Sequence, residues 1–345
     1  MPVVQKSELT DFATKLLRAS GFTSDEAAQT ADLLVWANLR GADSHGVLRI
    51  PRYIEMIETG VIRAGERPKV IREFGATCVL DFGKAPGAVA MTHAARKAGD
   101  LADKFGIGWC SARAISHAGA IGYFTTQLAA RGLVGVAMTA SKPLMSYFGA
   151  KGEALSTNPL SIAAPRSGGA DPILLDMSTA AVALGKIMAA RDSGKPIPRG
   201  WAIDANGAET EDPNAVAAIL PMAGPKGAGL SLMIEILASV LVGNAIIAPV
   251  LRGEKKGGFN GQVLAINPAA FGDVPSFFAA MENLAGALHA LDPVSSADPV
   301  KLPGERGFRT ERERTAKGIP LAVGTARNLT KAAERFGLAA PAFLK

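Results

Sequence analysis

The segment RGADSHGVLRIPRY, residues 40–53, concentrates side chains that can bind an anion and move a proton. We predict a helix from about Ser44 to Thr59, which places His45 in its first turn and Arg49 one turn later on the same face. The positive end of such a helix favours an anion and keeps His45 neutral near pH 7. Arg49 suits a carboxylate, which it can grip through two parallel hydrogen bonds. The segment indicates either a small-carboxylate site with a proton-transfer group or a capped helix with a surface histidine.

A second histidine lies in SHAGAIGYF, residues 116–124, where small residues occupy a strand-to-helix turn. A ligand can approach the backbone of such a turn closely, and His117 would project into that space. The alternative is a turn histidine bonded to a nearby carbonyl. His93 and His289 lie in helical runs and are expected to be structural. No two histidines have the spacing of metal ligands, so we predict no metal site.

The stretch GPKGAG, residues 224–229, precedes a strongly apolar helical run. Glycines at a helix N-terminus, together with Lys226, could hold a phosphate or pyrophosphate. The stretch is not a Walker loop, and the chain has no G-x-G-x-x-G between a strand and a helix. Asp176 ends a strand and could bond a ribose hydroxyl or act only as a cap, with Ser178 and Thr179 as further capping candidates. Lys186 lies in the helix that follows; it is either solvent-facing or directed at the carboxylate site, where it could polarise a carbonyl oxygen.

The hydrophobic spacing predicts an α/β fold in which a central mixed sheet is flanked by helices. A capping box of Thr23 and Glu26 opens the second N-terminal helix. We expect a helical segment at 1–74 to pack with helices in 275–345, around a central α/β region at 75–274. The predicted strands cover 106–115, 133–141, 172–177, 200–204 and 262–267. The later predicted helices cover 229–242, 275–291, 308–317 and 325–336.

Composition limits the classes of partner. The 345 residues carry 37 basic and 31 acidic side chains, spread along the chain, and 48% are hydrophobic. No one-sided basic stripe with stacking aromatics is visible, so nucleic-acid binding is not predicted. The longest apolar run, 230–243, is interrupted by Glu235 and is too short to span a bilayer. Two cysteines without a pairing pattern and no recognisable secretory leader predict a cytoplasmic protein without a membrane partner.

Several motifs together resemble the malate/L-lactate dehydrogenase family that is unrelated to the Rossmann-type enzymes. They follow one another as DSHGVLRIPRY, SHAGAIGYF, STNPLSIAAP, LDMSTAAVALGK, IPRGWAID, GPKGAGLSLMIEIL and PGERG. The family includes ureidoglycolate, sulfolactate and diketogulonate enzymes, and cyclic imine (piperideine-2-carboxylate) reductases. The resemblance covers nearly the whole chain. It implies a non-Rossmann nicotinamide-binding α/β fold and a homodimer whose active sites lie near the subunit boundary.

The same resemblance implies roles for individual residues. His45 and His117 match the two active-site histidines, Arg49 matches a ligand of the substrate carboxylate, and Thr157 matches a polar residue near substrate or cofactor. Ser44 and Lys186 complete the predicted catalytic set. The positions expected to line the dinucleotide are Ser141, Asp176, Met177, Ser178, Lys226, Gly227, Pro303, Gly304 and Glu305. Ser156 departs from the family, which commonly has glycine before Thr-Asn-Pro, and its side chain could narrow the substrate pocket.

We therefore expect reversible hydride transfer between NAD(H) and a small 2-hydroxy/2-oxo acid, with NADP as a possible cofactor. A neutral histidine would take the hydroxyl proton, and we rank His117 slightly above His45 for this task. An NADPH-dependent cyclic imine reductase is the first alternative, although imine-reducing relatives have aspartate at the position of Lys186, and the lysine favours the hydroxy acid reaction. A lyase that forms a Schiff base on Lys186 is the second. A protein that binds NADH without turnover is the third.

Overall fold

The computed structural model describes residues 2–254, 258–295 and 299–344. Within them, no helix is long and apolar enough to cross a membrane. The α-helices are α1 (Lys6–Ala19), α2 (Ser24–Leu39), α3 (Ile50–Glu58), α4 (Gly87–Phe105), α5 (Gly122–Ala129), α6 (Leu184–Asp192), α7 (Pro225–Glu235), α8 (Ile247–Leu251), α9 (Val274–His289), α10 (Glu305–Lys317) and α11 (Val323–Arg335). The strands are β1 (Val3–Val4), β2 (Lys69–Phe74), β3 (Thr77–Ala85), β4 (Ile107–Ile115), β5 (Val134–Ala140), β6 (Leu160–Ala164), β7 (Ile173–Met177), β8 (Ala202–Ile203), β9 (Ala218–Ile219), β10 (Phe259–Ile266) and β11 (Ile319–Pro320).

The centre of the fold is a seven-stranded sheet in the order β2-β3-β4-β10-β5-β6-β7. Strands β3 and β4 pair in parallel, and every other neighbouring pair is antiparallel. The predicted mixed α/β sheet is therefore confirmed. As a result of this pairing, β3, β4, β5 and β7 all run in the same direction, so their last residues lie at the same end of the sheet. We call it the carboxyl end of the sheet, and the segments that leave it can form a site.

Alternate residues of strand β10 face the hydrophobic core between the sheet and the helices. Val263 and Ala265 are fully buried, and an added side chain at Gly261 would meet the Met91 sulfur of α4 at 2.1 Å. These alternate residues therefore face α4, as the two-residue period of a strand requires. The same core takes in buried apolar side chains of α1, α2 and α5. Each large aliphatic side chain buried there contributes about 1.5–3 kcal/mol of transfer free energy.

The two ends of the chain lie together, as predicted. Strand β1 pairs with β11 through Val4 and Ile319, α10 packs on α2, and α11 packs on α3. Helix α9 behaves differently, because only Ala285 of its sixteen residues is buried. Strand β2 begins at Lys69, before the expected boundary at residue 75. The proposed division of the chain at 75 and 274 stays a prediction.

The expected helix from Ser44 is wrong. Two 3₁₀ turns, Asp43–His45 and Val47–Arg49, come first, and α3 begins at Ile50. Pro51 gives the reason: it has no N–H, and inside a longer helix its ring would clash with the carbonyl four residues earlier. It is tolerated in the first turn, where it lies. His45 and Arg49 are consequently not one helical turn apart.

Two other expected helix starts also change. Helix α7 begins at Pro225 rather than 229, so GPKGAG contributes its first turn, and a π-helical turn at Ile236–Val240 follows it. Helix α6 begins at Leu184 without a side-chain cap, so Ser178 and Thr179 do not cap it. Instead, the Thr179 hydroxyl donates to the Thr157 carbonyl at 3.0 Å and fixes the STNP segment.

Candidate active site

The carboxyl end of the sheet gathers residues that are far apart in sequence. His117 follows β4, Ser141 follows β5, and Asp176 is the penultimate residue of β7. These three strands run in the same direction, so the segments that follow them leave the sheet on one side. In open α/β sheets, ligands commonly bind at this end. The strand directions thus explain why the predicted site residues share one region.

The two predicted active-site histidines lie together. The ring centroids of His45 and His117 are 5.8 Å apart, and the ring planes are inclined by 21°. Phe259, the first residue of β10, packs its edge against His117 at 5.7 Å. Behind His117, an added Cβ at Gly87 would lie 2.4 Å from the His117 carbonyl oxygen. Only glycine leaves room for this approach between the start of α4 and the histidine turn.

One ring nitrogen of each histidine is already engaged. The Tyr53 hydroxyl lies 2.7 Å from His117 Nδ1, and the Gly119 N–H donates to the same atom at 3.3 Å. The Ser44 hydroxyl lies 2.9 Å from His45 Nδ1. Because the Gly119 N–H can only donate, neutral His117 carries its proton on Nε2 in this arrangement. Both Nε2 atoms are therefore the ring nitrogens left for a substrate.

Burial and positive charge keep both rings neutral. Burial, and then the Arg49 guanidinium, lower the pKa of His45 to about 4. Burial lowers the pKa of His117 well below its ordinary value, and the charges of Arg49 and His45 lower it further. The predicted neutrality of His45 thus has a different cause from the helix terminus expected from the sequence. Burial also raises the pKa of the Tyr53 hydroxyl, which keeps that group protonated.

Arg49 completes this cluster. Its Nε donates to the Ser44 carbonyl at 2.7 Å, which fixes the guanidinium beside the histidine pair. Its charge lowers the pKa of His45, His117 and Tyr53, so it lies within electrostatic range of all three groups. A guanidinium held in this way can bind a carboxylate through its remaining donors. Sequence reasoning assigned no role to Tyr53, although it closes the segment on which that reasoning began.

The STNP segment lies beside Ser141. The Ser141 and Ser156 hydroxyls are 2.6 Å apart, and Ser156 is buried. The Ser156 side chain therefore contacts Ser141, which was predicted to bind the cofactor. The Thr157 carbonyl accepts both the N–H and the hydroxyl of Thr179. Asn158 donates to the Ser231 carbonyl at 2.8 Å, and its Oδ1 is buried with no partner among the described residues.

Strand β7, which carries Asp176, is bonded to the segment around Pro303. The Asp176 Oδ2 accepts the Gly122 N–H at 3.0 Å, and the residue is exposed. Desolvation by the surrounding protein still raises the pKa of this carboxyl to about 6, against the Gly122 hydrogen bond and the charge of Arg40. The Pro303 carbonyl accepts the Leu174 N–H at 3.0 Å, which joins the PGE segment to β7. Met177 and Ser178 are half-buried at the same strand end.

The other two members of the PGE segment are closely held. An added Cβ at Gly304, whose φ is 92°, would lie 2.8 Å from the Leu174 Cβ. Glu305 begins α10, and its Oε1 lies 2.7 Å from His289 Nε2. Asp176 and the serine pair therefore lie at the carboxyl end of the sheet, whereas the PGE segment packs against Leu174 near the start of β7. This set of donors and acceptors fits a ribose and its neighbouring polar groups.

The first turn of α7 differs from the expected phosphate loop. The N–H of Gly227 bonds the Met222 carbonyl at 3.0 Å, and that of Lys226 bonds the Ala223 carbonyl at 3.4 Å. Pro225 has no N–H to offer. The backbone here is thus satisfied within the chain, and the exposed Lys226 side chain is the group on which phosphate binding depends.

Lys186 is exposed in the first turn of α6. Its Nζ lies 5.8 Å from the centre of the Trp201 ring. An added Cβ at the neighbouring Gly185 would be 4.0 Å from Ser44 Cβ, so this turn approaches the histidine cluster. Across residues 2–254, 258–295 and 299–344, no three His, Cys, Asp or Glu side chains are grouped to hold a metal ion.

Comparison with known proteins gives one consistent result. A family model described as malate/L-lactate dehydrogenase matches residues 4–330. A malate dehydrogenase of Pyrococcus abyssi is 34% identical over 97% of this chain and 95% of its own length. A ureidoglycolate dehydrogenase (NAD(+)) of Escherichia coli O157:H7 is also 34% identical, over 92% of each chain.

Solved structures agree with these sequence matches. The malate dehydrogenase of Entamoeba histolytica superposes with a TM-score of 0.91 at 27% identity, covering 98% of this chain and 99% of that one. The Δ1-piperideine-2-carboxylate reductase of Pseudomonas syringae pvar. tomato superposes with a TM-score of 0.85 at 27% identity, covering 96% and 100%. The same fold therefore occurs under both names.

Proposed function

The chain belongs to the malate/L-lactate dehydrogenase family, and on this premise we propose that it transfers hydride reversibly between a nicotinamide dinucleotide and a small 2-hydroxy/2-oxo acid. The observation that carries the proposal is the pair of neutral histidines, 5.8 Å apart, beside Arg49. A proton acceptor and a carboxylate ligand are the two groups that oxidation of a 2-hydroxy acid requires from the protein.

Each residue of the cluster has a separate role in the proposed reaction. Arg49 binds the substrate carboxylate and thereby orients C2. The hydroxyl proton passes to a ring nitrogen that carries no proton: Nε2 of His45 when its Nδ1–H donates to the Ser44 hydroxyl, or Nε2 of His117 once the His117 proton has moved to Nδ1, where the Tyr53 hydroxyl accepts it. His117 remains our first choice. Tyr53 supports such a change at His117, because a hydroxyl can donate to Nδ1 of the neutral ring and accept from Nδ1–H of the charged one. The dinucleotide, when bound, supplies or takes up the hydride.

We propose NAD as the preferred cofactor, with NADP second. Asp176 would bond a ribose hydroxyl, and its negative charge would oppose a 2′-phosphate. Ser141, Lys226 and the segment 303–305 would complete the site, together with Met177, Ser178 and Gly227. The position of Ser141 and Asp176 at the carboxyl end of the sheet supports this assignment.

We further propose a cytoplasmic homodimer. The helix α7 and the π-helical turn after it present large apolar side chains to solvent, among them Met233, Val240 and Leu241, which are 51%, 52% and 64% exposed. A contiguous apolar surface of this kind is typical of an interface.

The alternatives receive unequal support. A cyclic imine reductase would share the fold, the carboxylate ligand and the cofactor, so only substrate tests separate it from the proposed function. A Schiff-base lyase would need Lys186 to be activated, usually by a desolvated pocket. Lys186 is exposed, which gives the lyase no support.

A substrate panel tests the proposal. The 2-oxo acids that correspond to lactate, malate, ureidoglycolate and sulfolactate, and the cyclic imines piperideine-2-carboxylate and pyrroline-2-carboxylate, are each tested with NADH and with NADPH. The absorbance of the reduced nicotinamide is followed. We expect reduction of at least one 2-oxo acid. The variants His117→Ala and His45→Ala are then compared. The variant that lacks the proton-transfer group should have a kcat lower by about 10²-fold or more. Activity confined to imines, or near-normal kcat in both variants, would contradict the proposal.

A further inference from the structure

A network of hydrogen bonds holds the two 3₁₀ turns, residues 43–49. We call these residues the His45 loop. At its start, Asp43 accepts two hydrogen bonds from Arg314 of α10: Oδ1 lies 2.7 Å from Nη1, and Oδ2 lies 3.1 Å from Nη2. The Arg314 side chain is 17% exposed. A bidentate pair of this kind fixes direction as well as distance.

Asn38, near the end of α2, is the second anchor. Its Nδ2 donates to Asp43 Oδ1 at 2.7 Å, and its Oδ1 accepts the Val47 N–H at 2.8 Å. Arg314 also donates to the Asn38 carbonyl. An added Cβ at Gly46 would lie 2.2 Å from Asn38 Oδ1, so the loop lies directly on this side chain. The loop is therefore pinned on both sides of His45.

The contacts of Asp43 affect the functional groups because these groups lie only a few residues further along the chain. Ser44 and His45 directly follow Asp43, and Arg49 bonds back to the Ser44 carbonyl at 2.7 Å. Movement of the Asp43 carboxylate would therefore displace a proton-transfer candidate and the carboxylate ligand together. Arg314 itself touches neither ring.

A second arginine fixes α2 to the start of α10. Arg40 donates from Nη2 to the Gly304 carbonyl at 3.3 Å and pairs with Glu311 at 3.1 Å. Its guanidinium carbon lies 3.7 Å from the centre of the Phe308 ring. Contacts of Arg40 and of Arg314 thus join α2 and α10 at two places. The Arg40 contacts fix the position of α10, the helix that carries Arg314.

We propose that Arg314 is a positioning residue for the reaction, which acts through Asp43 and Asn38 to hold His45 and Arg49 in the geometry that binds the acid. Its effect on turnover rests on the proposed function, whereas its effect on the loop does not. A positioning role differs from a purely structural one, because it affects the acid site more than cofactor binding or global stability.

The test uses Arg314→Gln and Arg314→Lys, with Arg312→Gln as the matched control. Arg312 lies on the same helix and pairs with Asp171 at 2.5 Å, and among the described residues no hydrogen bond or ion pair joins it to the His45 loop. In Arg314→Gln we expect KM for the preferred acid to rise at least tenfold, with little change in NADH affinity or melting temperature. Arg314→Lys keeps one charged donor and should recover part of the loss. Arg312→Gln should behave as wild type.

The second measurement does not require turnover. NMR titration follows the histidines, with His45→Gln identifying the His45 signal. Release of the loop to solvent should move the His45 pKa from about 4 towards its ordinary value in Arg314→Gln, but not in Arg312→Gln. Adding Asp43→Asn to Arg314→Gln should cause little further loss, because the two residues form one pair.

The outcomes separate the two proposals. An unchanged acid KM in Arg314→Gln in an active enzyme, or an unchanged His45 titration, would overturn the positioning role. Equal effects in Arg312→Gln would also overturn it. A wild-type protein inactive on every acid and imine would remove the proposed function, and the titration would still decide whether Arg314 holds the loop.

Discussion

The Tyr53 hydroxyl lies 2.7 Å from Nδ1 of His117, although 64 positions separate the two residues. The contact joins α3 to the turn after β4. Tyr53 is buried, and its partner His117 is half-buried. Since the Gly119 N–H at the same nitrogen can only donate, it favours the neutral ring. Tyr53 is the neighbour that can serve the ring in both protonation states.

Replacement of Tyr53 by phenylalanine should therefore slow catalysis without preventing substrate binding. The variant removes one buried hydrogen bond, worth about 1–2 kcal/mol, so kcat should fall about tenfold. KM for the acid should change little, because Arg49 remains. Steady-state kinetics in both directions measure these constants. A normal kcat would show that the contact has no part in proton transfer.

The lowered pKa of His45 predicts how stability depends on pH. The unfolded residue titrates near 6.5 and the folded one near 4. Between these values the unfolded state binds the proton and the folded state does not, so the free energy of unfolding falls as pH decreases from 6.5 to 4. At 1.36 kcal/mol per pKa unit, His45 accounts for at most about 3 kcal/mol. Urea unfolding at several pH values should show a smaller decrease in His45→Gln; an unchanged pH dependence would contradict the assignment.

The cofactor assignment predicts a selective effect at α7. Lys226→Ala should weaken NADH binding severalfold, while the melting temperature without cofactor stays unchanged, because the side chain is exposed. Calorimetric titration and thermal unfolding measure the two quantities. Lys195→Ala, another exposed lysine, serves as the control. Normal NADH affinity in Lys226→Ala would remove this residue from the cofactor site.

Much of this architecture could be predicted from local signals. The Thr23–Glu26 capping box is present, with each side chain bonding the other residue's N–H, because both partners lie within one turn. The strands around 107–115 and 134–140 follow their runs of buried residues. Such features depend on nearby residues only, so a single sequence contains them.

The remaining features depend on tertiary contacts. Nothing in the local pattern pairs Tyr53 with His117 or Arg314 with Asp43, because these contacts depend on how distant elements pack. The error at Ser44 is different, since Pro51 already marked the true start of α3. Hydrophobic spacing alone does not show where that helix begins.

The last prediction concerns Lys186 and the choice between an oxo acid and an imine. A 2-oxo acid develops negative charge on oxygen during hydride attack, which an ammonium stabilises; a cyclic imine is reduced best as its iminium cation, which an ammonium repels. The first turn of α6 approaches Ser44, since an added Cβ at Gly185 would be 4.0 Å from Ser44 Cβ. We therefore expect 2-oxo acid reduction to exceed piperideine- and pyrroline-2-carboxylate reduction, and Lys186→Asp to lose that preference. Lys195→Asp makes the same charge change beyond the end of α6 and should keep it. Efficient imine reduction by the unmodified protein with little oxo acid activity, or equal behaviour of the two variants, would contradict this role for Lys186.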